Sequence, residues 1–439
     1  MSQQPSSPSQ RAVAAVTPTA LDAAPPDRRL PAAGQADPQA SIRFAMTLGR
    51  ALHRYGTPAH RLEEVMTVVS AQLGIEARFV ATPTAIFASF GPPEAQQATL
   101  IRGEPGSTDL RRLARIDEVA NDVVEGRTSP SDGASLVEAQ LIDSPSSALH
   151  RLARVVCFAL SSAAGAQLYG GGLAEVAVSG GVGLLLGLLD AVAAKVPAVE
   201  RGFEPIAAFI ASAVSVSLTR LVGHFSTEVA TLAALVYLLP GLALTQAMME
   251  LSTRNLIAGT SRFSGAMMVF MLLGFGVALG RRIDVVLPAA PPAVPITPLP
   301  GWSIIPGLLV LTVALAVLFK ARRHDFHWIL LAAVVAAGGA RVGAAWLGPE
   351  LGAFLGALAL GIVSNGIARI RRRPTIITVV PGIMVLVPGS VGYRSIESML
   401  AQDVVNGLAT AFSMVFVLVG LASGLVLANA FVTPRRIQL

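Results

Sequence analysis

Two apolar segments of the chain carry polar side chains just after a Pro-Gly pair. Amide groups there could bind the hydroxyl and charged groups of a small zwitterionic ligand, and a carboxyl group in a partly desolvated cavity can carry a proton near neutral pH. The alternative is a solvated carboxylate at the membrane interface. The residues of this predicted substrate and proton pathway are Pro240, Gly241, Gln246, Glu250, Asn255, Pro388, Gly389, Asp403 and Asn406.

The two segments are related by a constant shift of 148 residues, which carries Pro240 onto Pro388 and Gly241 onto Gly389. Proline removes a helical amide donor and glycine relaxes the backbone, so each pair should break its helix. Matched breaks in two halves of a membrane protein are the best sequence indication of a transporter's binding site. Two ordinary proline kinks in a helical bundle are the other interpretation.

A second polar cluster lies near the amino end, at Gly56, His60, Arg61 and Glu63. The last three fall within about one helical turn, so a histidine beside carboxylates could act as an acid–base pair. Solvated side chains with local ion pairs give the same pattern. We find no nucleophile elbow, no paired cysteine and histidine, and no cluster of metal ligands. The sequence therefore predicts no catalytic residues, no metal and no cofactor.

The composition indicates the elements that must position these residues. Of the 439 residues 53% are hydrophobic and 14% charged, and the mean hydropathy is +0.62. These values are typical of a polytopic α-helical membrane protein with a soluble portion. The net charge of +6 rests almost wholly on arginine, and most of the arginines lie next to predicted spans, where they set orientation rather than bind nucleic acid. The single Cys157 excludes a disulfide framework within the chain.

Changes of composition along the chain predict its organisation. We expect a disordered tail (1–40), a small α/β soluble domain (41–150), a first membrane repeat (151–284), a Pro-rich linker (285–302) and a second membrane repeat (303–439). The soluble domain should contain two strand-like runs, 77–90 and 97–103. The membrane part reads as about ten transmembrane helices in five-plus-five inverted repeats, with Gly-x-x-x-Gly motifs that let helices pack closely.

The arginines also predict the orientation of the chain in the membrane lipids. Most basic residues after residue 150 lie at the helix ends that face the cytoplasm if the amino end is inside. The positive-inside rule then puts both termini, and the soluble domain, in the cytoplasm.

Two segments resemble a known family. GTPAHRLEEVMTVVSAQLG, starting at Gly56, is similar to the amino-terminal domain of the threonine/serine exporter family, and PGIMVLVPGSVGYRSIESM resembles the Pro-Gly segment of that family's second membrane half. The resemblance covers roughly residues 41–435. It implies a secondary exporter of threonine and serine in a bacterial inner membrane, driven by protons, whose partner is a small amino acid. Homo-oligomerisation stays open.

Two other functions compete with export. The chain could be a membrane-tethered hydrolase with its active site in 41–150, which requires activity from that domain. It could also be an uncoupled channel, which requires fast flux that is indifferent to pH. The matched breaks favour transport.

Overall fold

The computed structural model describes residues 37–103, 106, 108–142, 147–223, 225–287, 297–386 and 388–433. Helices predominate in these ranges, and the sheet they contain has three strands. The predicted disordered tail lies outside the described residues except for its last four positions. Residues 288–296 of the predicted Pro-rich linker and the carboxyl-terminal residues 434–439 also lie outside them.

The amino-terminal region holds four helices and the sheet. Helix α1 begins at Pro38, inside the predicted tail, because the Asp37 side chain accepts a hydrogen bond from the Gln39 amide (3.0 Å) and proline suits the first turn. The elements are α1 (Pro38–Arg54), α2 (Ala59–Gln72), β1 (Ala77–Thr82), β2 (Ala85–Phe90), β3 (Gln97–Arg102), α3 (Leu110–Val124) and α4 (Pro130–Leu141).

The sheet is antiparallel with strand order β1-β2-β3. The first predicted run, 77–90, is a hairpin rather than one strand, because the chain turns between Thr82 and Ala85 around Pro83, which cannot donate to a ladder. One face of the sheet buries Phe79, Ile86 and residues beside them against the helices. The region thus has the helix-and-sheet composition that was predicted.

In the described part of the membrane region, every regular element is a helix. Its elements are α5 (Ala148–Leu168), α6 (Leu173–Ala193), α7 (Pro197–Arg201), α8 (Phe203–Val222), α9 (Thr227–Ala234), α10 (Gly241–Ser252), α11 (Leu256–Arg281), α12 (Ile304–Leu318), α13 (Phe326–Leu347), α14 (Pro349–Arg371), α15 (Ile376–Leu386), α16 (Pro388–Leu400) and α17 (Val404–Phe431).

Seven helical segments in the described ranges are long and apolar enough to cross a membrane, so the chain is a polytopic helical membrane protein. Helices α5 and α8 are not among the seven, although they have 21 and 20 residues. The span predicted near residues 228–247, the fourth of the ten, is divided between the short helices α9 and α10. Ten spans in inverted repeats therefore stay a prediction.

Both Pro-Gly pairs interrupt their helices, as predicted. Pro240 caps α10 after the five non-helical residues 235–239 that follow α9, and Pro388 begins α16 just after α15 ends. The repeat continues beyond the breaks: Asn255 and Asp403 are the N-caps of α11 and α17. Each half thus ends in a broken pair of helices followed by one long helix.

Close helix packing explains the Gly-x-x-x-Gly motifs. A Cβ atom added to Gly280 of α11 would lie 2.7 Å from the Phe209 carbonyl oxygen of α8, and one added to Gly352 of α14 would lie 2.6 Å from the Ala340 carbonyl oxygen of α13. Backbones can approach this closely only where no side chain separates them. The predicted role of these glycines is confirmed.

We expect Gly187→Ala and Gly181→Ala, both in α6, to have opposite effects. A Cβ on Gly187 would lie 2.9 Å from the Cα and carbonyl oxygen of Val155, whereas one on Gly181 would have no neighbour within 4 Å. Overpacking should cost Gly187→Ala about 1–3 kcal/mol, and Gly181→Ala should be neutral or gain up to about 1 kcal/mol of helix propensity. Thermal unfolding of the detergent-purified protein measures both. Equal melting temperatures would contradict the packing.

Candidate functional site

One face of α10 carries two buried polar residues, and this face contacts the amino-terminal region. Gln246 and Glu250 lie one turn apart on this face, and both are buried, Glu250 completely. The start of α2 packs against them: the amide of Ala59 donates a hydrogen bond of 2.9 Å to Oε1 of Glu250. The two regions therefore share a hydrogen bond at the end of a helix.

Arg262 of α11 neutralises Glu250 through a two-pronged contact. Its Nε lies 3.0 Å from Oε2 and its Nη2 lies 3.0 Å from Oε1, while Nη1 donates to Oε1 of Gln246 at 3.3 Å. The amide at the amino end of α2 adds a partial positive charge at Oε1, the same oxygen that Nη2 of Arg262 contacts. A buried carboxylate is tolerable only with such compensation, so these groups act as a unit.

A cavity of about 320 Å³ opens beside this unit, between α2, α10, α14, α15 and α17. We call it the interface cavity. Its polar walls are Thr57, His60, Arg61, Glu64, Gln246, Asn365, Thr375 and Asn429, and its apolar walls are Pro58, Leu242, Met249, Gly361, Ile376, Val379, Val380, Ile383 and Leu425. The volume is at the low end of the range for small-molecule sites.

Two polar atoms that line the interface cavity lack a hydrogen-bond partner within the described ranges, namely Oγ1 of Thr57 and Nδ1 of His60. Burial lowers the pKa of His60, an effect that Glu250 opposes and Arg61 reinforces. His60 is therefore neutral at pH 7. Buried polar atoms without partners are costly, so both atoms are suited to a bound ligand.

The other residues of the amino-terminal motif have separate tasks. Arg61 pairs with Glu64 at 2.5 Å on the cavity wall. Glu63 points away: its Oε1 accepts the Ala81 amide at 2.6 Å and so ties α2 to β1. Burial raises the pKa of Glu63, and the hydrogen bond from Ala81 opposes this. Gly56 has a φ of 80°, a left-handed turn that glycine adopts at no steric cost.

The far wall of the cavity comes from two asparagines of the second half. Nδ2 of Asn365 donates to Oδ1 of Asn429 at 2.9 Å and to the carbonyl oxygen of Val432 at 2.8 Å. This amide pair lines the same cavity as the charged residues of α2. The cavity therefore presents both ionic groups and neutral amides.

The remaining predicted pathway residues lie outside the interface cavity. Asp403 is exposed and caps α17, where it accepts hydrogen bonds from the backbone amide of Asn406 at 3.2 Å and from its side chain at 2.5 Å. Asn255 takes the equivalent N-cap position before α11. These three residues lie at the starts of helices. The backbone amide of Asn255 donates to the carbonyl oxygen of Glu250 at 2.8 Å, but among the described residues none of the three side chains bonds to the Glu250 carboxylate.

The two Pro-Gly breaks contact each other rather than the cavity. A Cβ added to Gly389 would lie 2.8 Å from Cβ of Leu239 and 3.5 Å from the nitrogen of Gly241. Pro240 and Gly389 are not among the cavity residues, although Leu242, just past the first break, is. The breaks thus form a crossing point between the halves, and the cavity opens one to two turns beyond it.

Sequence reasoning missed several members of the site. Arg262 was counted only among the arginines that set orientation, and Asn429 and Thr57 were given no role in a site. The spacing of twelve residues between Glu250 and Arg262, across a helix end, gives no local signal of contact. Within the described residues, no group of three or more histidine, cysteine or acidic side chains could hold a metal ion.

Comparisons with known proteins identify relatives over nearly the whole chain. Residues 43–283 match a family model described as "Putative threonine/serine exporter", and residues 306–431 match one described as "Threonine/Serine exporter, ThrE". Proteins named "Pheromone-regulated membrane protein 10" are similar: that of Debaryomyces hansenii is 26% identical over 89% of this chain and 42% of its own length, that of Candida albicans 27% over 84% and 34%, and that of Saccharomyces cerevisiae 25% over 89% and 54%.

The chain thus spans about a third to a half of the length of these fungal relatives. No solved structure matches it.

Loss of the cation in the buried pair should destabilise the protein strongly. Arg262→Gln leaves the Glu250 charge buried with only an amide to balance it, which should cost about 3–5 kcal/mol. The double variant Glu250→Gln with Arg262→Gln removes both charges and should recover most of this loss. Thermal unfolding in detergent measures the stability of each variant in this double-mutant cycle.

The matched control for this cycle is Arg43→Gln, which breaks an exposed pair with Glu138 and should cost less than about 1 kcal/mol. If the double variant were as unstable as Arg262→Gln alone, the pair would not be what stabilises this interface.

Proposed function

Because the chain belongs to the threonine/serine exporter family, we propose that it is a secondary exporter of threonine and serine that binds them in the interface cavity. The observation that carries this proposal is the wall chemistry of the cavity. An ion pair, two unpartnered polar atoms and an amide pair surround a space of about 320 Å³. These are the groups that a small zwitterion with a hydroxyl requires.

The charged groups of α2 match the two ends of an amino acid. Arg61 can hold the α-carboxylate in a two-pronged contact, and Glu64, half exposed beside it, can accept the α-ammonium group. The ligand would then bind between Arg61 and Glu64 at the cavity wall and replace the direct contact of these two side chains. Opposite charges held close together in this way favour a zwitterion over a simple anion or cation.

The remaining polar groups suit the side-chain hydroxyl. The Asn365–Asn429 amide pair can both donate to and accept from a hydroxyl, and Thr57 adds a buried hydroxyl of its own. Leu242, Met249 and Ile383 close the apolar part of the wall and limit the size of the ligand. A site that hydrogen-bonds a hydroxyl discriminates strongly against analogues that lack one.

Proton coupling is assigned to Glu250. Protonation of its carboxyl group would remove the charge that holds Arg262 and the amide of Ala59, and would loosen the start of α2 from α10. Since Arg61 and His60 lie in that same turn, the change would reach the substrate groups directly. This links a proton to the opening of the cavity without a separate relay.

The wider setting is proposed on the same basis. Ten spans in two inverted repeats would place the interface cavity and the crossing Pro-Gly breaks near the axis between the halves. Both termini would be cytoplasmic in a plasma membrane, which is the inner membrane if the source is bacterial. The family is one of exporters, and a channel or a tethered hydrolase becomes an outcome of the tests below.

Arg61→Gln should abolish most threonine efflux from proteoliposomes loaded with labelled threonine. Loss of a charged hydrogen bond to the carboxylate costs about 1.5–3 kcal/mol, which corresponds to a reduction of about tenfold or more in efflux at low substrate. Asn365→Leu should reduce threonine and serine efflux more than it affects any residual flux of alanine. The measurement is the initial rate of efflux over a range of internal concentrations.

Arg43→Gln is the matched control for Arg61→Gln, because it breaks an exposed ion pair in the same region and should leave efflux unchanged. Flux that does not saturate with threonine would favour a channel. No threonine flux, together with ester or peptide cleavage that His60→Ala abolishes, would favour the hydrolase.

The two candidate carboxylates should behave differently. Glu250→Gln should abolish the stimulation of efflux by a proton gradient while leaving threonine exchange largely intact, and the double variant with Arg262→Gln should do the same without the cost of an unpaired charge. Asp403→Asn should keep its response to the gradient, because asparagine caps a helix as well as aspartate does. A normal gradient response in both Glu250 variants would rule out Glu250 as the coupling group.

A further inference from the structure

A second cavity lies along the same helices as the interface cavity, further from the amino-terminal region. This distal cavity has a volume of about 380 Å³ and is lined in part by Ala353 of α14, Ser390 of α16 and Val417 of α17. Ala353 is two turns before Gly361 on α14, and Val417 is two turns before Leu425 on α17. The cavities are therefore offset by about 12 Å along these helices.

A thin apolar layer separates the two cavities. Ala357 and Leu360 of α14, Ile383 of α15 and Leu421 of α17 belong to one buried cluster, and each is at most 2% exposed. Ala357 lies one turn from Ala353 and one turn from Gly361, so it lies between the two cavities along α14. The layer is one to two turns thick.

Arg341 is the ionic group of the distal cavity, and it lies in the apolar helix α13. Arg341 is exposed, and among the described residues none forms an ion pair or hydrogen bond with it. A cation within a membrane helix is costly unless it faces a polar cavity or meets an anion. Hydroxyl groups are close at hand: Ser390 lines the same cavity, and so does Ser413, whose Oγ donates to Oε1 of Glu350 at 2.9 Å.

We propose that the distal cavity is a second amino-acid site, the exit site of the pathway, in which Arg341 binds the α-carboxylate. Glu350, which accepts a hydrogen bond from the cavity residue Ser413, provides an anion near the α-ammonium group. The inference rests on the proposed function, since it takes the same ligand. It assigns the apolar layer as the barrier that must part when substrate passes from the interface cavity to the distal one.

The first test is asymmetric exchange in proteoliposomes. The proteoliposomes contain labelled threonine and are placed in unlabelled threonine. On the face opposite the amino-terminal region, Arg341→Gln should raise the half-saturating concentration of threonine about tenfold or more. On the other face the half-saturating concentration should change less than about twofold. Arg61→Gln should show the reverse. Arg341→Lys should recover only part of the affinity, because lysine lacks the planar fork.

Arg282→Gln is the matched control, since this arginine is exposed at the end of α11 and does not line either cavity. It should leave both half-saturating concentrations unchanged. An unaltered value on the far face for Arg341→Gln, in protein that exchanges threonine normally, would overturn the proposal and leave Arg341 as an interfacial anchor.

The second test does not depend on transport. Cys157→Ala yields a protein without cysteine, into which Ser413→Cys or Asn365→Cys is introduced. A charged, impermeant thiol reagent should modify Ser413→Cys only from the face opposite the amino-terminal region, and Asn365→Cys only from the other face. If Ser413→Cys reacted from neither aqueous side, the distal cavity would be a lipid-facing groove.

The two tests separate the two proposals. If the wild-type protein moves no threonine or serine, the proposed function fails and the ligand assigned to the distal cavity fails with it. If the wild type exchanges threonine but Ser413→Cys is inert, export stands and only the exit site is overturned.

Discussion

The buried charge of Glu250 is the constraint on which the rest of the structure depends. A carboxylate that is wholly inaccessible to solvent must be balanced by protein groups. The balance comes from Arg262 in the next membrane helix and from the first amide of α2 in the amino-terminal region. One side chain thereby holds together α10, the adjacent helix α11 and the distant helix α2, and the junction of α2 with α10 forms part of the wall of the interface cavity.

Further contacts keep the amino-terminal region in this position. Glu118 of α3 forms ion pairs with Arg322 at 2.5 Å and with Arg373 at 2.9 Å, and the amide of Leu110 donates to the carbonyl oxygen of Phe319 at 3.0 Å. These contacts are made by residues just beyond the ends of helices in the second half, whereas Glu250 belongs to the first. The amino-terminal region therefore bridges the two halves and completes the wall of the interface cavity.

Local patterns in the sequence predicted the helix breaks and the close-packed glycines, because proline and glycine act through their own backbone. They also placed Gln246 and Glu250 near a site. The contact of Glu250 with Arg262 could not be predicted, since it depends on how α11 folds back beside α10 after an irregular turn. Nor could the pairing of Asn365 with Asn429, or the arrival of α2 at α10, which depend on tertiary packing. Asp403 caps α17, a role that a polar residue just past a break can also serve, and its place in the pathway stays a prediction.

The contact between the two Pro-Gly breaks has a consequence for biosynthesis. Gly241 and Gly389 touch in the finished protein but are 148 residues apart, since 389 − 241 = 148. At about 5–20 residues per second, a ribosome needs roughly 7–30 s to make the second after the first. For that time the first break lacks the surface of the second half against which Leu239 and Gly241 pack. The crossing point between the halves can therefore form only after the second Pro-Gly pair has been made.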